Sequence, residues 1–533
     1  MKQPSQPLGL TALGVLCALG NDKASIYQRA MAGDLSGMRK VSGVLPNGDA
    51  TPFGTVDLPD DFEPHLGSRC ERLIAAAYQQ IKDDVEALKT RIPAERIGVV
   101  LGTSNSAMEE YTANPTRIDM ALPAAFLKRY SAVKGPAYVI STACSSSGKV
   151  FASARQLIEK GICDAVLVGG VDAFTRLVVN GFYSLEALST ELARPFGKDR
   201  TGINLGEGAA LFIMEKGSAD VMLLGVGESS DAYHLTAPEP NGAGAEAALR
   251  AALADAGLPP EAVDYVNLHG TGTTYNDKME SQAVVNVFGN AIPCSSTKPM
   301  TGHTLGAAGA IEAALCWLML KAKGPALPHV LSGERDETLP PLPLVGKDST
   351  LCPKTAISTS FAFGGSNVAV LLGRGHSESR HYTMAELLPH RAPMILIDDY
   401  DEASFSSEGL TTEVTIRKSD VFFDPELGGT PPCTALEYMA QSIAAYVGLS
   451  AVQRGEQPKL GFVLGSRSLA LDLPCFAEGE CYRISVRPEF SDNQFAAFDT
   501  RIENAQGQCV ATAMLNVFRP DDEEAKALLT LQP

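Results

Sequence analysis

The chain has 533 residues, 45% of them hydrophobic and 20% charged, a globular composition long enough for two or more domains. Acidic residues number 62 against 44 basic ones, and the formal charge of −18 argues against nucleic acid or an anionic membrane as the main partner. The 11 cysteines contain no Cys-x-x-Cys pair and no zinc-type spacing, so they read as free thiols of a reducing cytosol, with no metal site.

The first apolar run, residues 8–20, has the length of a signal-peptide core. Only one lysine precedes it and no small-x-small cleavage site is convincing, so no leader is expected. No run approaches the ~20 apolar residues of a membrane-spanning helix. Strand-like runs at 97–101, 137–140, 165–168 and 209–214 alternate with helical patterns at 72–88, 149–160 and 243–256, which predicts a layered α/β fold. The run 137–140 enters a small-residue turn through Thr142-Ala-Cys144 and then a helical stretch. That places Cys144 at the mouth of a helix N-terminus, where the dipole favours thiolate. Two Gly-rich stretches follow, Asn267-Leu-His269-Gly-Thr271-Gly-Thr273 and Ser296-Thr-Lys298-Pro-Met-Thr-Gly-His303. A lone cysteine is usually a small buried hydrophobe, and a lone histidine is usually structural. One cysteine and two histidines in loops beside apolar strands point instead to carbon–carbon bond formation through an acyl-thioester. Gly225-Val-Gly227 is an isolated fragment, expected as a strand-end turn and not as a dinucleotide site.

Composition shifts over 374–382, a short polar linker after a last strand at 368–372. Beyond it, a helix pattern at 435–452 precedes alternating runs at 482–487, 495–502 and 511–518, predicting one helix wrapped by an antiparallel sheet. Residues 521–524 begin an acidic tail expected to be solvated.

Residues 1 to about 375 resemble the beta-ketoacyl-acyl-carrier-protein synthases of the Cys-His-His class. The likeness runs through Leu19-Gly-Asn21, Thr142-Ala-Cys144, Arg194-Pro-Phe-Gly-Lys-Asp-Arg200 and Leu205-Gly-Glu207-Gly. It continues through Ser230-Asp-Ala-Tyr-His234, the two histidine loops, Gly306-Ala-Ala-Gly-Ala-Ile-Glu312 and Ser360-Phe-Ala-Phe363-Gly-Gly-Ser-Asn367. Ala362 stands where a glycine is usual and Ser366 where a threonine is usual. The resemblance implies a five-layer αβαβα thiolase-like fold with halves of about 1–216 and 217–375. It implies that Cys144 carries the acyl chain and that the N–H groups of Cys144 and Phe363 form an oxyanion hole. His269 and His303 would hold malonyl thioester, supported by a Lys298–Glu312 ion pair. Thr271 and Thr273 would bind the pantetheine arm, and Phe363 would gate the acyl pocket. A thiolase or starter-type enzyme would carry Cys or Asn where His303 stands. A chain-length-factor subunit would lack Cys144.

Residues 384–523 resemble hotdog-fold 3-hydroxyacyl-acyl-carrier-protein dehydratases, most like those of aryl-polyene pathways. The likeness lies in Leu387-Leu-Pro-His390-Arg, Leu436-Glu437-Tyr-Met-Ala-Gln441, Leu460-Gly-Phe-Val-Leu-Gly-Ser-Arg467 and Leu515-Asn-Val-Phe518. It departs at Cys433-Thr-Ala435, which bears on acyl-pocket shape. The resemblance assigns His390 as base and Glu437 as acid, each from a different chain of a homodimer. An acid at a helix start is held ionised by the dipole, so burial must outweigh the dipole for Glu437 to donate a proton; otherwise it orients or simply starts the helix. With 376–383 as linker and 524–533 as tail, the expected function is bifunctional. Malonyl-ACP condenses with an acyl chain, and 3-hydroxyacyl-ACP is dehydrated. The alternative leaves the second domain a structural or acyl-binding module. The implied partners are acyl carrier protein and a separate ketoreductase. Substrates ride on phosphopantetheine with no bound cofactor, and the location is cytoplasmic. Arg69, Arg72, Lys128 and Arg129 are a candidate docking cluster or ordinary solvated charge. Fatty acid and polyene products are not distinguished.

Overall fold

The computed structural model describes residues 5–520 except 60, 112–118, 376–381, 407–408, 454–457, 459–460 and 492–493. The chain divides into two compact units, 1–377 and 378–533. Most of the expected linker, and the whole of the expected tail, lie outside the described residues. Tyr382 and Thr383 are part of the second unit and not of a linker. Tyr382 N–H donates to Tyr400 Oη at 3.1 Å, and Thr383 caps the helical turn Met384–Leu387.

The first unit contains strands β1 (Leu8–Leu16), β2 (Ile97–Gly102), β3 (Ala137–Ile140), β4 (Ala165–Asp172) and β5 (Gly208–Glu215). A second set follows as β6 (Val221–Ser230), β7 (Tyr265–Asn267), β8 (Cys294–Ser295), β9 (Thr355–Ala362) and β10 (Ser366–Arg374). Their hydrogen-bonded order is β3-β2-β4-β5-β1-β6-β10-β9-β7-β8. The two sets repeat one five-strand pattern and meet where β1 pairs antiparallel with β6 through Leu8–Leu223 and Gly9–Met222. Helices α1 (Arg69–Gln79), α2 (Lys82–Arg91) and α3 (Leu122–Tyr130) share a core with the first set. Helices α4 (Ser146–Glu159) and α8 (Ala308–Lys321) lie between the sets, touching strands of both. Helices α6 (Ala243–Ala256) and α7 (Thr274–Phe288) cover the second set, and α5 (Arg176–Ser184) lies beyond β4. This is the layered αβαβα arrangement. Every residue of α8 from Ala308 to Leu320 is buried, as a helix packed on both sides must be.

The single helix expected over 72–88 is two. The chain breaks at Gln80 and Ile81, and the Gln80 side chain reaches back to the first strand and the loop after it. Its Nε2 donates to Val15 O at 2.8 Å and Asn21 O at 3.0 Å. Gly225-Val-Gly227 is not a turn but the middle of β6. The backbone of α6 crosses there, so a Cβ would meet Ala252 O at 2.3 Å or Ala248 O at 2.0 Å.

In the second unit, α9 (Ala435–Gln453) packs on a six-stranded antiparallel sheet. Its strands are β11 (Asp399–Ser406), β12 (Gly409–Thr415), β13 (Phe462–Leu471), β14 (Cys481–Ser491), β15 (Phe495–Glu503) and β16 (Cys509–Phe518). The order is β11-β12-β14-β15-β16-β13. One helix against a curved antiparallel sheet is the hotdog pattern. Among the described residues no helix is long and apolar enough to cross a membrane.

Helix α4, which begins just after Cys144, seats on strand ends that lack side chains. A Cβ on Gly102 would lie 2.4 Å from Ser147 N, and one on Gly170 would lie 2.4 Å from Ser147 Cβ. Gly102→Ala is expected to cost about 1–3 kcal/mol of stability in a denaturant melt, because backbone atoms must shift. The same shift displaces the start of α4 and with it Cys144.

Candidate active site

Cys144 stands between β3 and α4, after Ala143 in a left-handed conformation at φ 53°. The turn is held by short side chains. Thr142 N–H donates to Ser146 Oγ at 2.9 Å, and Ser146 Oγ donates to Ala143 O at 2.5 Å. The thiol is buried and reaches His303 Nε2 at 3.0 Å. The resting thiolate expected at a helix N-terminus is not found. Burial pushes the thiol up to about 12; Lys298 pulls it down, while the Asp172 and Glu312 charges raise it. Cys144 therefore rests as a thiol with a proton acceptor beside it.

His303 follows the short helix Lys298–Thr301, and His269 follows β7. Their rings meet edge to face with centroids 5.2 Å apart. Lys298 Nζ donates to buried Glu312 on α8. The same nitrogen lies 3.3 Å from His269 Nδ1. An ammonium has only protons to give, so His269 Nδ1 accepts and its ring proton is on Nε2. Burial holds both histidines well below their ordinary range, and the Lys298 charge depresses them further. Cys144, His303, His269, Lys298 and Glu312 thus form one buried cluster.

Two carboxylates that sequence reasoning missed hold the His269 loop. Glu280 on α7 accepts from His269 N–H and Gly270 N–H, each at 2.7 Å, and from Thr359 Oγ1 at 3.0 Å. Asp277 accepts from Gly272 N–H at 3.2 Å and Phe196 N–H at 2.8 Å. Burial pushes Glu280 up to about 7 and Asp277 up to about 6, against the backbone N–H bonds that lower them. Their three-residue spacing on one helix, just after the Gly-rich loop, was the available signal.

A cavity of about 720 Å³ opens onto Cys144, His269 and His303. Thr271 and Thr273 line it, their hydroxyls 3.0 Å apart. Phe363 lines it too, partly exposed, with its ring 5.6 Å from Phe182 on α5. The candidate docking cluster does not form an open basic surface. Arg69 Nη2 donates to Glu207 at 2.6 Å and to Val56 O at 2.6 Å, and Arg72 donates to Phe62 O and Pro59 O. Lys128 and Arg129 remain at the end of α3. Among the described residues no group of three or more His, Cys, Asp or Glu side chains is placed to hold a metal ion.

In the second unit His390 Nε2 lies 3.5 Å from Glu437 Oε1, in the first turn of α9. Gln441 orders the pair. Its Nε2 donates to Glu437 Oε1 and to Met394 O, each at 2.8 Å, while its Oε1 accepts from Leu396 N–H at 2.9 Å. One amide therefore ties the histidine loop to the glutamate helix. One member from each chain was expected, and a single chain already brings both within 3.5 Å. Both side chains are about a third exposed, at 32% and 35%. This chain alone therefore leaves the pair open to solvent.

A buried thiol beside two neutral histidines, on a duplicated five-layer fold, defines a Cys-His-His condensing enzyme. Sequence profiles described as beta-ketoacyl synthase N-terminal and C-terminal domains match residues 63–219 and 221–331, and one described as ApeP dehydratase matches 382–530. The 3-oxoacyl-[acyl-carrier-protein] synthase 2 of Staphylococcus aureus is 30% identical over 408 residues, covering 68% of this chain and 97% of the relative. That of Coxiella burnetii is 33% identical over 425 residues, covering 68% and 98%. The solved ketosynthase ApeO, in complex with its chain length factor ApeC from Xenorhabdus doucetiae, is similar at 42% identity and a TM-score of 0.66. The match covers 70% of this chain and 100% of that one. The chain belongs to the beta-ketoacyl synthase family, and it joins a condensing domain to a dehydratase domain.

Glu280 supplies a pH test. Its folded value, about 7, lies above the ordinary 4.5, so the stability it contributes at low pH is lost as pH rises through about 7. Glu280→Gln removes that dependence. From about pH 5 to about pH 8 the melting temperature of the variant should improve relative to wild type. In the second unit, His390→Ala and Glu437→Gln chains mixed under verified subunit exchange should recover no dehydration. A site split between chains would recover about a quarter of the wild-type rate.

Proposed function

We propose that this chain elongates a carrier-bound acyl chain at Cys144 and dehydrates the later 3-hydroxyacyl intermediate at His390 and Glu437. The observation that carries the first step is the 3.0 Å approach of His303 Nε2 to the Cys144 thiol. As the acyl thioester of the carrier protein arrives, the thiol proton passes to His303 and sulfur attacks the carbonyl. The N–H groups of Cys144 and Phe363 receive the developing oxyanion, and its collapse expels the carrier thiolate, which takes a proton from solvent while His303 keeps the proton of Cys144. Malonyl thioester then enters, and its carbonyl oxygen meets the His269 Nε2 proton and His303. Loss of carbon dioxide leaves an enolate held by these donors. The enolate attacks the Cys144 thioester and releases a 3-ketoacyl chain longer by two carbons, still on the carrier, and the departing Cys144 thiolate takes its proton back from His303. Thr271 and Thr273 offer hydroxyls to the pantetheine amides, Phe363 gates the acyl pocket, and Lys298 with Glu312 fixes His269.

Condensation and dehydration are both redox-neutral, so neither calls for a bound redox cofactor. The ketone must be reduced between them, which assigns that step to a separate ketoreductase and sends the product out and back on the carrier's phosphopantetheine. In the second domain His390 takes the α proton and Glu437 protonates the departing hydroxyl. The 3.5 Å pairing of His390 with Glu437 favours a working dehydratase over a structural module. The missing burial of that pair, and the exposed apolar edge strand β13 with Phe462, Val463 and Leu464, favour a homodimer in which a second copy covers the site. The dehydratase likeness favours unsaturated, polyene-type acyl chains over ordinary fatty acid. Free cysteines favour a reducing, cytoplasmic setting.

Cys144→Ala is expected to abolish acyl loading and condensation while malonyl decarboxylation survives. Mass spectrometry after incubation with acyl carrier thioester should find the adduct on Cys144, and an adduct on another cysteine would remove the assignment. His269→Ala and His303→Ala should each lower decarboxylation by about 10²-fold or more. Normal decarboxylation with lost acyl loading would reverse their roles.

A further inference from the structure

Asp172, the last residue of β4, is fully buried and takes no part in the chemistry above. Its Oδ1 accepts from Thr103 Oγ1 at 2.5 Å, Ser104 N–H at 3.0 Å and Asn105 N–H at 3.2 Å. Its Oδ2 accepts from Ser104 N–H at 3.1 Å, Ser104 Oγ at 2.7 Å and Gly306 N–H at 2.6 Å. Three of these donors are backbone N–H groups and cannot reverse, so both oxygens are needed as acceptors. Residues 103–105 follow β2. Gly306 lies three positions after His303, in a turn where Leu305 is left-handed at φ 53°. The turn is pressed close: a Cβ on Gly306 would meet Ser104 N at 2.4 Å and Asp172 Oδ2 at 2.7 Å. One carboxylate therefore joins the end of β4, the loop after β2 and the turn that carries His303.

We propose that Asp172 is a positioning residue for condensation, its carboxylate pinning the turn 304–306 so that His303 Nε2 is held against Cys144 Sγ. This rests on the reading of Cys144 and His303 as the reacting pair. The charge of Asp172 also acts on Cys144, in the same direction as Glu312 and against Lys298.

The test uses two full-length variants. Asp172→Asn offers one acceptor oxygen where two are needed, so one of the two loops is released. Its kcat for condensation should fall by about 10²-fold, with KM for carrier thioesters little changed. Iodoacetamide alkylation of Cys144, followed on its peptide by mass spectrometry at one mildly alkaline pH, should be faster than in wild type, because a negative charge near the sulfur is gone. Gly306→Ala distorts the same turn with the charge kept. It should lose condensation comparably without faster alkylation. Wild-type kcat in folded Asp172→Asn, or activity lost only in proportion to lost folded protein with unchanged alkylation, overturns the proposal. Should Asp172→Asn not fold, wild-type kcat in folded Gly306→Ala overturns it and the loss of kcat supports it. A wild-type chain unable to condense carrier thioesters sinks the functional reading instead, and the alkylation rates still decide whether Asp172 acts on Cys144.

Discussion

The first unit depends on a charge that has no water around it. The Lys298 and Glu312 side chains are each 2% exposed, and their ion pair is the means by which an ammonium is kept inside the protein. Breaking such a pair by removing one partner typically costs about 3–5 kcal/mol, since the survivor stays buried and unpaired. The position of the pair has chemical consequences. The ammonium fixes the His269 tautomer, depresses both histidines and opposes the rise of the Cys144 thiol. Glu312 can reach it only because α8 runs through the middle layer, where both faces of a helix are covered.

Burial outweighs the helix dipole at Cys144. A dipole at an exposed helix start is worth a fraction of a kcal/mol to about 2 kcal/mol, whereas full desolvation moves a thiol by several times that. A thiol at rest is protected from alkylation and oxidation, and it becomes a nucleophile when a proton acceptor already lies 3.0 Å away. The reacting pair of the second unit is not enclosed in this way, since Glu437 keeps about a third of its surface in contact with solvent.

The duplicated strand order explains why the reacting groups converge. β3 and β8 occupy equivalent edges of their halves, and Cys144 follows one while Lys298 and His303 follow the other. β2 and β7 are likewise equivalent, and the Asp172-bound loop follows one while His269 follows the other. The two halves thus present their post-strand loops to a single cavity, and the Phe363 loop between β9 and β10 lines it as well.

Local residue pattern alone determined the alternation of strands and helices in the first unit, the one-helix antiparallel second unit, and the Cys, His and His loops. These rest on short-range rules: apolar periodicity, and glycine or small residues at tight turns. It also placed His390 and Glu437 by motif. Tertiary structure alone decided the rest. The helix break at Gln80 coincides with a side-chain bond to Val15, 65 residues away. Gly225 and Gly227 read locally as a turn, yet they are strand residues made small by the crossing of α6. β11, β12 and β13 were not anticipated; an acidic run at 399–402 and glycines at 461 and 465 hide the periodicity of the first and last. The protonation of Cys144, the tautomer of His269, and the roles of Glu280, Asp277 and Asp172 all follow from burial and from partners as far as 159 residues away in the chain. Neither quantity is carried by a residue's immediate neighbours, so no reading of local pattern could supply them.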